Sequence, residues 1–300
     1  MSLAIDTEQL CYRPGGGFEL RPLDLHVPTG AIYGFLGPNG SGKTTTIRLL
    51  LGLLRPASGR ITVLGNSMPA AASATLARIG YVPEAPHFDA VLTVREILSF
   101  QAAFYPLWDD TWSASLLRQF ELDDRKPFGK LSKGQKAKVM MLAALAQRPE
   151  LLLLDEPTDG LDPVARRDIL AALLEYVQGG TATVLISSHL VHELERICNW
   201  VGIMDGGRLA AEMPMERLKT GTKRLRVEGA PAGTPAAPPF LLLNRTATGN
   251  AETWVVRDWE APMAAWFEAQ GARLAAVQDL DLESGFVELL RAFRTRRMEA

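Results

Sequence analysis

The chain has 300 residues and a mass of 32.7 kDa, which exceeds a typical single domain and predicts one large domain followed by a smaller one. Apolar residues make up 47% of the chain and charged residues 22%, a composition typical of folded globular proteins that excludes general disorder. The 32 basic and 34 acidic side chains nearly cancel. Net charge therefore gives no reason to expect a nucleic-acid partner or a general attraction to an anionic membrane.

The two cysteines cannot form a disulfide framework, which favours a reducing compartment. The apolar stretches are far shorter than the ~20 residues that cross a bilayer. The N-terminus MSLAIDTEQL carries acids and lacks the basic flank of a signal peptide. If the protein serves a membrane, we expect it to do so as a peripheral protein on the cytoplasmic side.

The first part of the chain alternates short strands with a helix. Residues 18–27 place apolar side chains largely at alternate positions, which predicts a half-buried strand. Residues 31–37 predict a short apolar strand that runs into a glycine-rich turn, and residues 44–54 predict the helix that follows.

From about residue 85 to 147 the pattern becomes helical. Thr93 and Glu96 are spaced as a capping box, in which both side chains bond to backbone N–H groups at the start of a helix. The apolar positions that follow predict part of its buried face: Ile97, Leu98, Ala102 and Phe104. Continuous apolar runs at 151–154 and 183–187 predict central strands of a parallel sheet.

The composition changes after about residue 220. Four prolines and two glycines at 229–239 exclude a helix or a central strand there. The remaining sequence predicts one strand and two helices, at 253–256, 262–270 and 283–293. We interpret residues 1–220 as the main domain and residues 221–300 as a small α/β unit. We interpret the arginines at 291–297 as a solvated helix face, with contact to anionic lipid as the alternative.

Residues 37–44, GPNGSGKT, match the phosphate-binding loop G-x-x-x-x-G-K-[ST] between a strand and a helix. Its glycines let backbone N–H groups surround a phosphate, and the helix N-terminus adds positive potential. In such a loop Lys43 contacts the β- and γ-phosphates and the Thr44 hydroxyl coordinates Mg²⁺. Kinases, GTPases, helicases and transport ATPases share the loop. The predicted nucleotide-binding residues are Gly37, Pro38, Asn39, Gly40, Ser41, Gly42, Lys43, Thr44 and Thr45.

A second motif, residues 151–156, ends a predicted buried strand with two adjacent carboxylates. We expect Asp155 to hold Mg²⁺, directly or through water, and Glu156 to orient and deprotonate a water that attacks the γ-phosphate. Burying two acids side by side is costly unless a cation and hydrogen bonds compensate. Beside the phosphate loop, this favours a metal site over a pair of solvated acids.

The third motif is LSKGQ at 131–135, at the start of a helix predicted to span 135–147. The Ser132 hydroxyl and the backbone amides of Gly134 and Gln135 predict a second anion site at a helix N-terminus. Two phosphate sites on different surfaces of one chain suggest a head-to-tail pair of chains, with each ATP held between two copies.

In this order and spacing the motifs resemble those of ATP-binding-cassette (ABC) transporter ATPases over about residues 3–215. The resemblance implies an α/β P-loop NTPase fold with a mixed-sheet core, an antiparallel β subdomain and a helical subdomain at about 85–147. It implies that Tyr12 stacks on adenine, that Asp162 at the end of the DGLD loop contacts nucleotide, and that His189 contacts the γ-phosphate. For an isolated His189, a packed core histidine is the alternative interpretation.

Two positions depart from the commonest family pattern. Glu84 follows the Tyr-Val-Pro run where most members carry glutamine; a glutamate can still ligate Mg²⁺ but cannot donate an amide hydrogen bond. Lys133 stands where the signature usually has glycine, while Ser132 and Gly134 are retained. Lys133 either adds positive charge near the γ-phosphate or points to solvent.

The resemblance also implies ligands and partners. It implies ATP and Mg²⁺, a homodimer or a heterodimer with another ABC ATPase, and separate transmembrane permease subunits; no nucleic acid is expected. In relatives a groove between the helical subdomain and the Glu84 loop receives a short helix of the membrane subunit, and His87 and Phe88 are the expected contacts here. The LSKGQ signature, Glu84 and the C-terminal unit point towards bacterial exporters.

Two hypotheses from other classes stay open at this point. One is a soluble ABC ATPase acting in translation or DNA repair, although such relatives usually carry two cassettes or a long coiled coil. The other is a nucleotide-dependent regulatory module with little hydrolysis, whose only support in the sequence is Glu84.

Overall fold

The computed structural model describes residues 2–85, 88–180, 182–229, 237–249 and 251–299. The strands in these ranges are β1 (Leu3–Tyr12), β2 (Leu20–Pro28), β3 (Ile32–Leu36), β4 (Ser58–Val63), β5 (Asn66–Met68), β6 (Ile79–Val82), β7 (Leu151–Asp155), β8 (Thr183–Ser188), β9 (Trp200–Asp205), β10 (Arg208–Pro214), β11 (Lys223–Glu228), β12 (Leu241–Thr248), β13 (Ala251–Arg257) and β14 (Arg273–Asp279).

The helices in the same ranges are α1 (Lys43–Leu50), α2 (Ala72–Leu76), α3 (Val94–Ala102), α4 (Asp110–Gln119), α5 (Lys133–Ala146), α6 (Pro163–Gln178), α7 (Val191–Leu194), α8 (Met215–Gly221), α9 (Ala264–Ala269) and α10 (Leu282–Glu299). Short 3-10 turns lie at Phe128–Lys130 and Ala261–Met263.

The central sheet has the strand order β10-β9-β3-β8-β7-β6, with β10 antiparallel at one edge and the other strands parallel. Every residue of β3, β7 and β8 is buried, as expected for strands covered on both faces. The predicted central strands at 151–154 and 183–187 are therefore confirmed. Because β3, β7 and β8 run in parallel, the loops that follow them meet at one edge of the sheet.

A second sheet, of order β2-β1-β4-β5, is antiparallel and is formed by the N-terminal part of the chain. The predicted alternation on β2 is confirmed, since its leucines and Val27 point into the core: Leu20, Leu23, Leu25 and Val27 are each 0% exposed. Together the two sheets give the mixed α/β core and the antiparallel subdomain that the family resemblance implies.

The segment between β6 and β7 is helical. The capping box at the start of α3 is confirmed, with Thr93 accepting from the Glu96 N–H and the Glu96 side chain accepting from the Thr93 N–H. Ile97 and Leu98 are buried. The prediction is wrong for Phe104, which is 64% exposed, because α3 ends at Ala102 and the Phe104 ring lies against the exposed ring of Phe100 instead.

Helix ends differ from the predicted ones for local reasons. Helix α1 ends at Leu50, because Gly52 has a φ of +69° and turns the chain away. Helix α5 begins at Lys133, two residues earlier than predicted, because Ser132 and not a later residue provides the N-cap.

The third sheet, of order β12-β13-β11-β14, is antiparallel. Its core includes Phe240, Trp254 and Phe267. Helix α10 instead buries Leu282, Phe286, Leu289 and Leu290 in the same core as residues of β10, α8 and the parallel sheet. Residues 230–236 of the predicted proline-rich stretch lie outside the described residues, and the predicted boundary at 220/221 stays a prediction.

Candidate nucleotide-binding site

The phosphate loop follows β3 and enters α1 through glycines that other residues cannot replace. Gly42 is the N-cap of α1 with a φ of +110°, a conformation in which a side chain is strained. At Gly37 a Cβ would lie 2.5 Å from the Met204 carbonyl oxygen and 2.7 Å from Ser41 Oγ. The glycines of the motif are therefore required by the path of the loop.

Lys43 is buried under this loop. Its Nζ donates to the carbonyl oxygens of Gly37 at 2.7 Å and Pro38 at 3.4 Å, and lies 3.1 Å from Glu156 Oε1. The ammonium group is thus fixed between the loop backbone and the acid that follows β7.

Asp155, at the end of β7, is 1% exposed. Its Oδ1 accepts hydrogen bonds from Thr44 Oγ1 at 3.1 Å and from Ser187 Oγ at 2.8 Å. Burial raises the pKa of this carboxyl because desolvation disfavours the charged form. Its Oδ2 is buried and has no hydrogen-bond partner among the described residues. Such an oxygen is costly unless a cation or water compensates it.

Glu156 and His189 form one hydrogen-bonded pair, at 3.0 Å between His189 Nδ1 and Glu156 Oε2. Glu156 adopts a φ of +47°, which is uncommon for a residue with a side chain, and its N–H donates to Ser187 Oγ at 2.9 Å. The side chain of His189 is 29% exposed, so a packed core histidine is excluded.

Ser187 is a residue that the motifs missed. It lies opposite Asp155 in the register of β7 and β8, and its hydroxyl holds both the Asp155 carboxylate and the Glu156 backbone. The signal that could have found it is its place at the end of a strand expected to be parallel to β7.

A cavity of about 340 Å³ opens over the loop, lined by Phe18, Asn39, Gly40, Ser41, Gly42, Lys43, Thr44, Thr45, Glu84 and Glu156. Glu84, which sequence reasoning assigned to the metal, lines the same cavity as Thr44. Tyr12 is not among the lining residues; it ends β1, half-buried, opposite Leu20. Phe18 is the aromatic residue that lines this cavity, with its Cζ 3.3 Å from where a Gly42 Cβ would lie. Stacking of Tyr12 on adenine stays a prediction. The sequence offered only the position of Phe18 after the glycine turn at 15–17, which does not by itself place Phe18 at the phosphate loop.

The signature residues lie at the start of α5, outside this cavity. Ser132 Oγ accepts from the Gln135 N–H at 3.2 Å, and Gln135 Oε1 accepts from the Ser132 N–H at 3.1 Å. Gly134 is buried against α6, where a Cβ would lie 2.9 Å from Ala165 Cβ. Lys133 is exposed, with its Nζ 3.8 Å from Asp159 Oδ2. The described structure thus presents two candidate phosphate sites that do not share lining residues.

Asp162 caps α6 in this chain. Its Oδ1 accepts from the N–H groups of Val164 and Ala165, both at 2.9 Å. These hydrogen bonds, that from Ala165 first, lower the pKa of the carboxyl. The structure shows this capping role, and contact with nucleotide stays a prediction.

Comparisons with a family model, with related proteins and with solved structures show the family to which the chain belongs. The ABC transporter family model matches residues 20–159. The bacitracin transport ATP-binding protein BcrA of Bacillus licheniformis is 38% identical over 226 residues, 75% of this chain and 74% of that protein. The daunorubicin resistance ATP-binding protein DrrA3 of Streptomyces coeruleorubidus is 35% identical over 286 residues, 93% of this chain and 89% of that protein.

The solved structure of an ATP-binding subunit of an ABC transporter matches with a TM-score of 0.65 and 29% identity, over 73% of this chain and 92% of that one. Among the helices of the described residues, none is long and apolar enough to cross a bilayer. With its phosphate loop, acid pair and signature helix in the arrangement described above, the chain belongs to the family of ABC transporter ATP-binding proteins.

Proposed function

We propose that the chain is the ATP-hydrolysing subunit of an ABC exporter, and that it dimerises around two Mg-ATP and drives export through separate transmembrane subunits. The observation that carries the proposal is one connected network at the carboxyl edge of the parallel sheet. In it Lys43 pairs with Glu156, Glu156 with His189, and Asp155 with Thr44 and Ser187. The names of the relatives, bacitracin transport and daunorubicin resistance, support export as the direction.

The residues around Asp155 fit a bound Mg²⁺. The Thr44 hydroxyl and the Asp155 carboxylate supply the hard oxygen ligands that this ion takes together with substrate phosphates, and the buried, unpartnered Oδ2 of Asp155 gains a compensating charge. Glu84 lines the same cavity and is a further oxygen donor. When bound, Mg²⁺ neutralises charge on the β- and γ-phosphates.

The chain's own residues divide the work of hydrolysis. Lys43 and the backbone N–H groups of the loop hold the β- and γ-phosphates. Glu156 orients a water in line with the γ-phosphate and takes its proton onto the carboxylate as the oxygen attacks phosphorus and ADP leaves. His189 keeps that carboxylate in place through Nδ1. We assign to its partly exposed ring a contact with the γ-phosphate.

A dimer explains why the signature lies outside the nucleotide cavity. The Ser132 hydroxyl and the start of α5 present a helix N-terminus, which attracts anions. In a head-to-tail pair, Ser132, Gly134 and Gln135 of one chain meet the triphosphate held by the loop of the other. Asp162 lies beside Gly134: its Oδ2 is 3.5 Å from the position that a Cβ added to Gly134 would occupy. Asp162 would therefore lie at the same interface between the two chains.

An apolar groove supports a permease partner. It is a cavity of about 270 Å³ between the parallel core and the helical segment, with Leu53, Tyr81, Phe88 and Tyr105 in its wall. Leu53 is 62% exposed, and exposed apolar walls of this kind are typical of protein docking sites. Phe88 was one of the two expected contacts; the other, His87, lies outside the described residues. We place the chain at the cytoplasmic face of the membrane for this reason.

The experiment that tests the proposal is Glu156→Gln. We expect ATP binding to be retained, turnover to fall ~10²–10⁴-fold, the usual contribution of a positioned base, and an ATP-bound dimer to accumulate in size-exclusion chromatography. Glu8→Gln, on the exposed rim of β1, is the control. Unchanged turnover would remove Glu156 from its role.

A phosphate-release assay with and without the membrane subunit addresses the two other classes. Turnover that the membrane subunit stimulates supports a transporter. Release that stays negligible in both conditions would favour the regulatory module instead. Substantial release that the membrane subunit leaves unchanged would favour a soluble ABC ATPase.

A further inference from the structure

A third cavity lies away from the nucleotide site. Its volume is about 620 Å³, and four of its five lining residues are arginines: Arg21, Arg208, Phe293, Arg296 and Arg297. Arg21 belongs to β2 and Arg208 to β10, whereas the other three come from α10. We infer that this arginine cavity binds a phosphate-bearing anion. None of its lining residues lines the nucleotide cavity.

Arg291, Arg294, Arg296 and Arg297 are exposed, as expected for a solvated helix face, and two of them, Arg296 and Arg297, also line the cavity. Arg294 is held by Asp205, with Nε and Nη2 donating to the two carboxylate oxygens at 3.0 and 2.7 Å. This fork fixes α10 against the end of β9, and Arg296 and Arg297 of the same helix line the open cavity. The sequence could not show this, because Asp205 and Arg294 are far apart along the chain.

The carboxylates beside the arginine cavity are already engaged. Asp205, which lies opposite Arg208 in the β9–β10 register, is neutralised by Arg294. Glu19 lies 2.6 Å from Arg13 and 3.7 Å from Arg21. Among the described side chains, Arg208, Arg296 and Arg297 have no carboxylate partner. Excess positive charge is therefore concentrated at the cavity, and binding of an anion there is electrostatically favourable.

Arg208 gives an independent indication. Its Nε is buried and has no hydrogen-bond partner in the described part of the chain. A buried donor on a charged group is costly when it is unpaired. Arg208 lines the cavity, so an anion bound there lies beside this incompletely paired guanidinium and compensates its charge.

The guanidinium groups specify the chemistry of that ligand. Their planar donor forks match the oxygens of phosphate in pairs. The cavity exceeds the size of one phosphate group, and Phe293 gives it an apolar wall. The ligand is therefore a phosphate carried on a larger body, either a free phosphorylated molecule or the headgroup of an anionic lipid.

The test uses the full chain with Lys43→Ala, which removes the phosphate loop as a competing site. Pyrophosphate is titrated by calorimetry at fixed ionic strength, and flotation is measured with phosphatidylglycerol and with phosphatidylcholine vesicles. In this background Arg208→Gln with Arg297→Gln is compared with Arg60→Gln with Arg273→Gln. The control pair removes the same charge from side chains that are 81% and 82% exposed.

We expect pyrophosphate to bind the background chain, and the Arg208/Arg297 pair to weaken binding by about tenfold or more, as loss of a charge-assisted hydrogen bond predicts. The control pair should stay within about twofold of the background, since neither Arg60 nor Arg273 lines the cavity. If the background chain binds phosphatidylglycerol vesicles but not pyrophosphate, and the Arg208/Arg297 double variant no longer binds these vesicles, the lipid headgroup is the ligand and the inference holds.

The inference is overturned if neither probe binds, or if both variant pairs weaken binding equally. Because Arg208 is half-buried, the double variant is also checked by circular dichroism. Arg297→Gln alone changes an exposed side chain, so it reports on the cavity even if the double variant unfolds. Unchanged pyrophosphate and vesicle binding by this single variant would also count against the inference.

Discussion

His189 Nδ1 lies 3.0 Å from Oε2 of Glu156, and the backbone N–H of His189 lies 3.3 Å from the same oxygen. The residue after β8 thus holds the acid after β7 by two contacts. Since the strands are parallel neighbours, the sheet itself fixes the direction in which the Glu156 carboxylate points.

His189→Ala should slow hydrolysis while nucleotide binding is kept. A hydrogen bond to a charged group contributes ~1.5–3 kcal/mol, so we expect turnover to fall about 10- to 100-fold. Phosphate release and calorimetry with ATP measure the two effects. The variant His192→Ala on the adjacent helix is the control. In the Glu156→Gln background the further loss from His189→Ala should be small, because the two residues act as a unit; fully additive losses would contradict the pair.

Lys43→Ala should abolish nucleotide binding. The buried ammonium is the cation that the phosphate loop offers to the β- and γ-phosphates, and its loss also leaves Glu156 without its ion-pair partner. Calorimetry with ATP measures binding. Lys133→Ala, which removes an exposed lysine of the signature, is the control and should retain it. Binding that survives in Lys43→Ala would contradict the phosphate-loop assignment.

Asp155→Asn should raise the melting temperature while it removes activity. The pKa of Asp155 is raised by burial, so the folded chain holds the proton more tightly than the unfolded chain. The free energy of unfolding therefore falls as the pH rises through this range. Asparagine does not titrate and still accepts from Thr44 and Ser187. We expect a gain on the order of 1 kcal/mol at neutral pH.

The gain from Asp155→Asn should shrink as the pH is lowered, because the wild-type carboxyl is then protonated as well. Thermal denaturation across pH, followed by circular dichroism, measures this. Asp205→Asn is the contrasting control: it breaks the fork with Arg294 and should lower the melting temperature. A gain from Asp155→Asn that is independent of pH would show that burial of charge is not its cause.

Asp162→Ala should destabilise the chain through α6. The carboxylate accepts hydrogen bonds from two N–H groups at the start of the helix. Loss of such a cap lowers the free energy of unfolding by ~0.5–2 kcal/mol. Asp162→Asn keeps the cap and should be close to wild type in urea unfolding. If Asp162→Asn keeps stability yet weakens ATP binding by the dimer, the nucleotide contact is supported. If both properties match wild type, Asp162 is only a cap.

The parallel strands and the phosphate loop could be predicted because their signals are local. A short, continuous apolar run such as 151–154 favours a strand covered on both faces, and the spacing of Gly37, Gly42 and Lys43 is set by the loop itself. The capping box at Thr93 was also predicted, since it lies inside four residues. The equally local box at Ser132 was missed, and the start of α5 was therefore placed two residues too late.

What could not be predicted depends on contacts between distant segments. Ser187 becomes part of the site only through the register of β7 and β8. Phe104 is exposed because α3 ends two residues before it, and a predicted helix end is uncertain by more than that. Phe18 enters the nucleotide cavity because β1 and β2 fold back over the loop, which an aromatic residue in a glycine-rich turn does not reveal by itself.

Helix α10 has a consequence for how the chain is made. It buries Leu282, Phe286 and Leu289 in a core whose preceding members, such as Leu218, belong to α8 and the strands before it. The ribosome therefore synthesises the whole third sheet before this helix. The apolar surface that α10 covers stays exposed during that time. Such surface is prone to aggregate. Frameshifts or early stops within the third sheet should thus lower the yield of the domain before it, although every residue of its nucleotide site has already been translated.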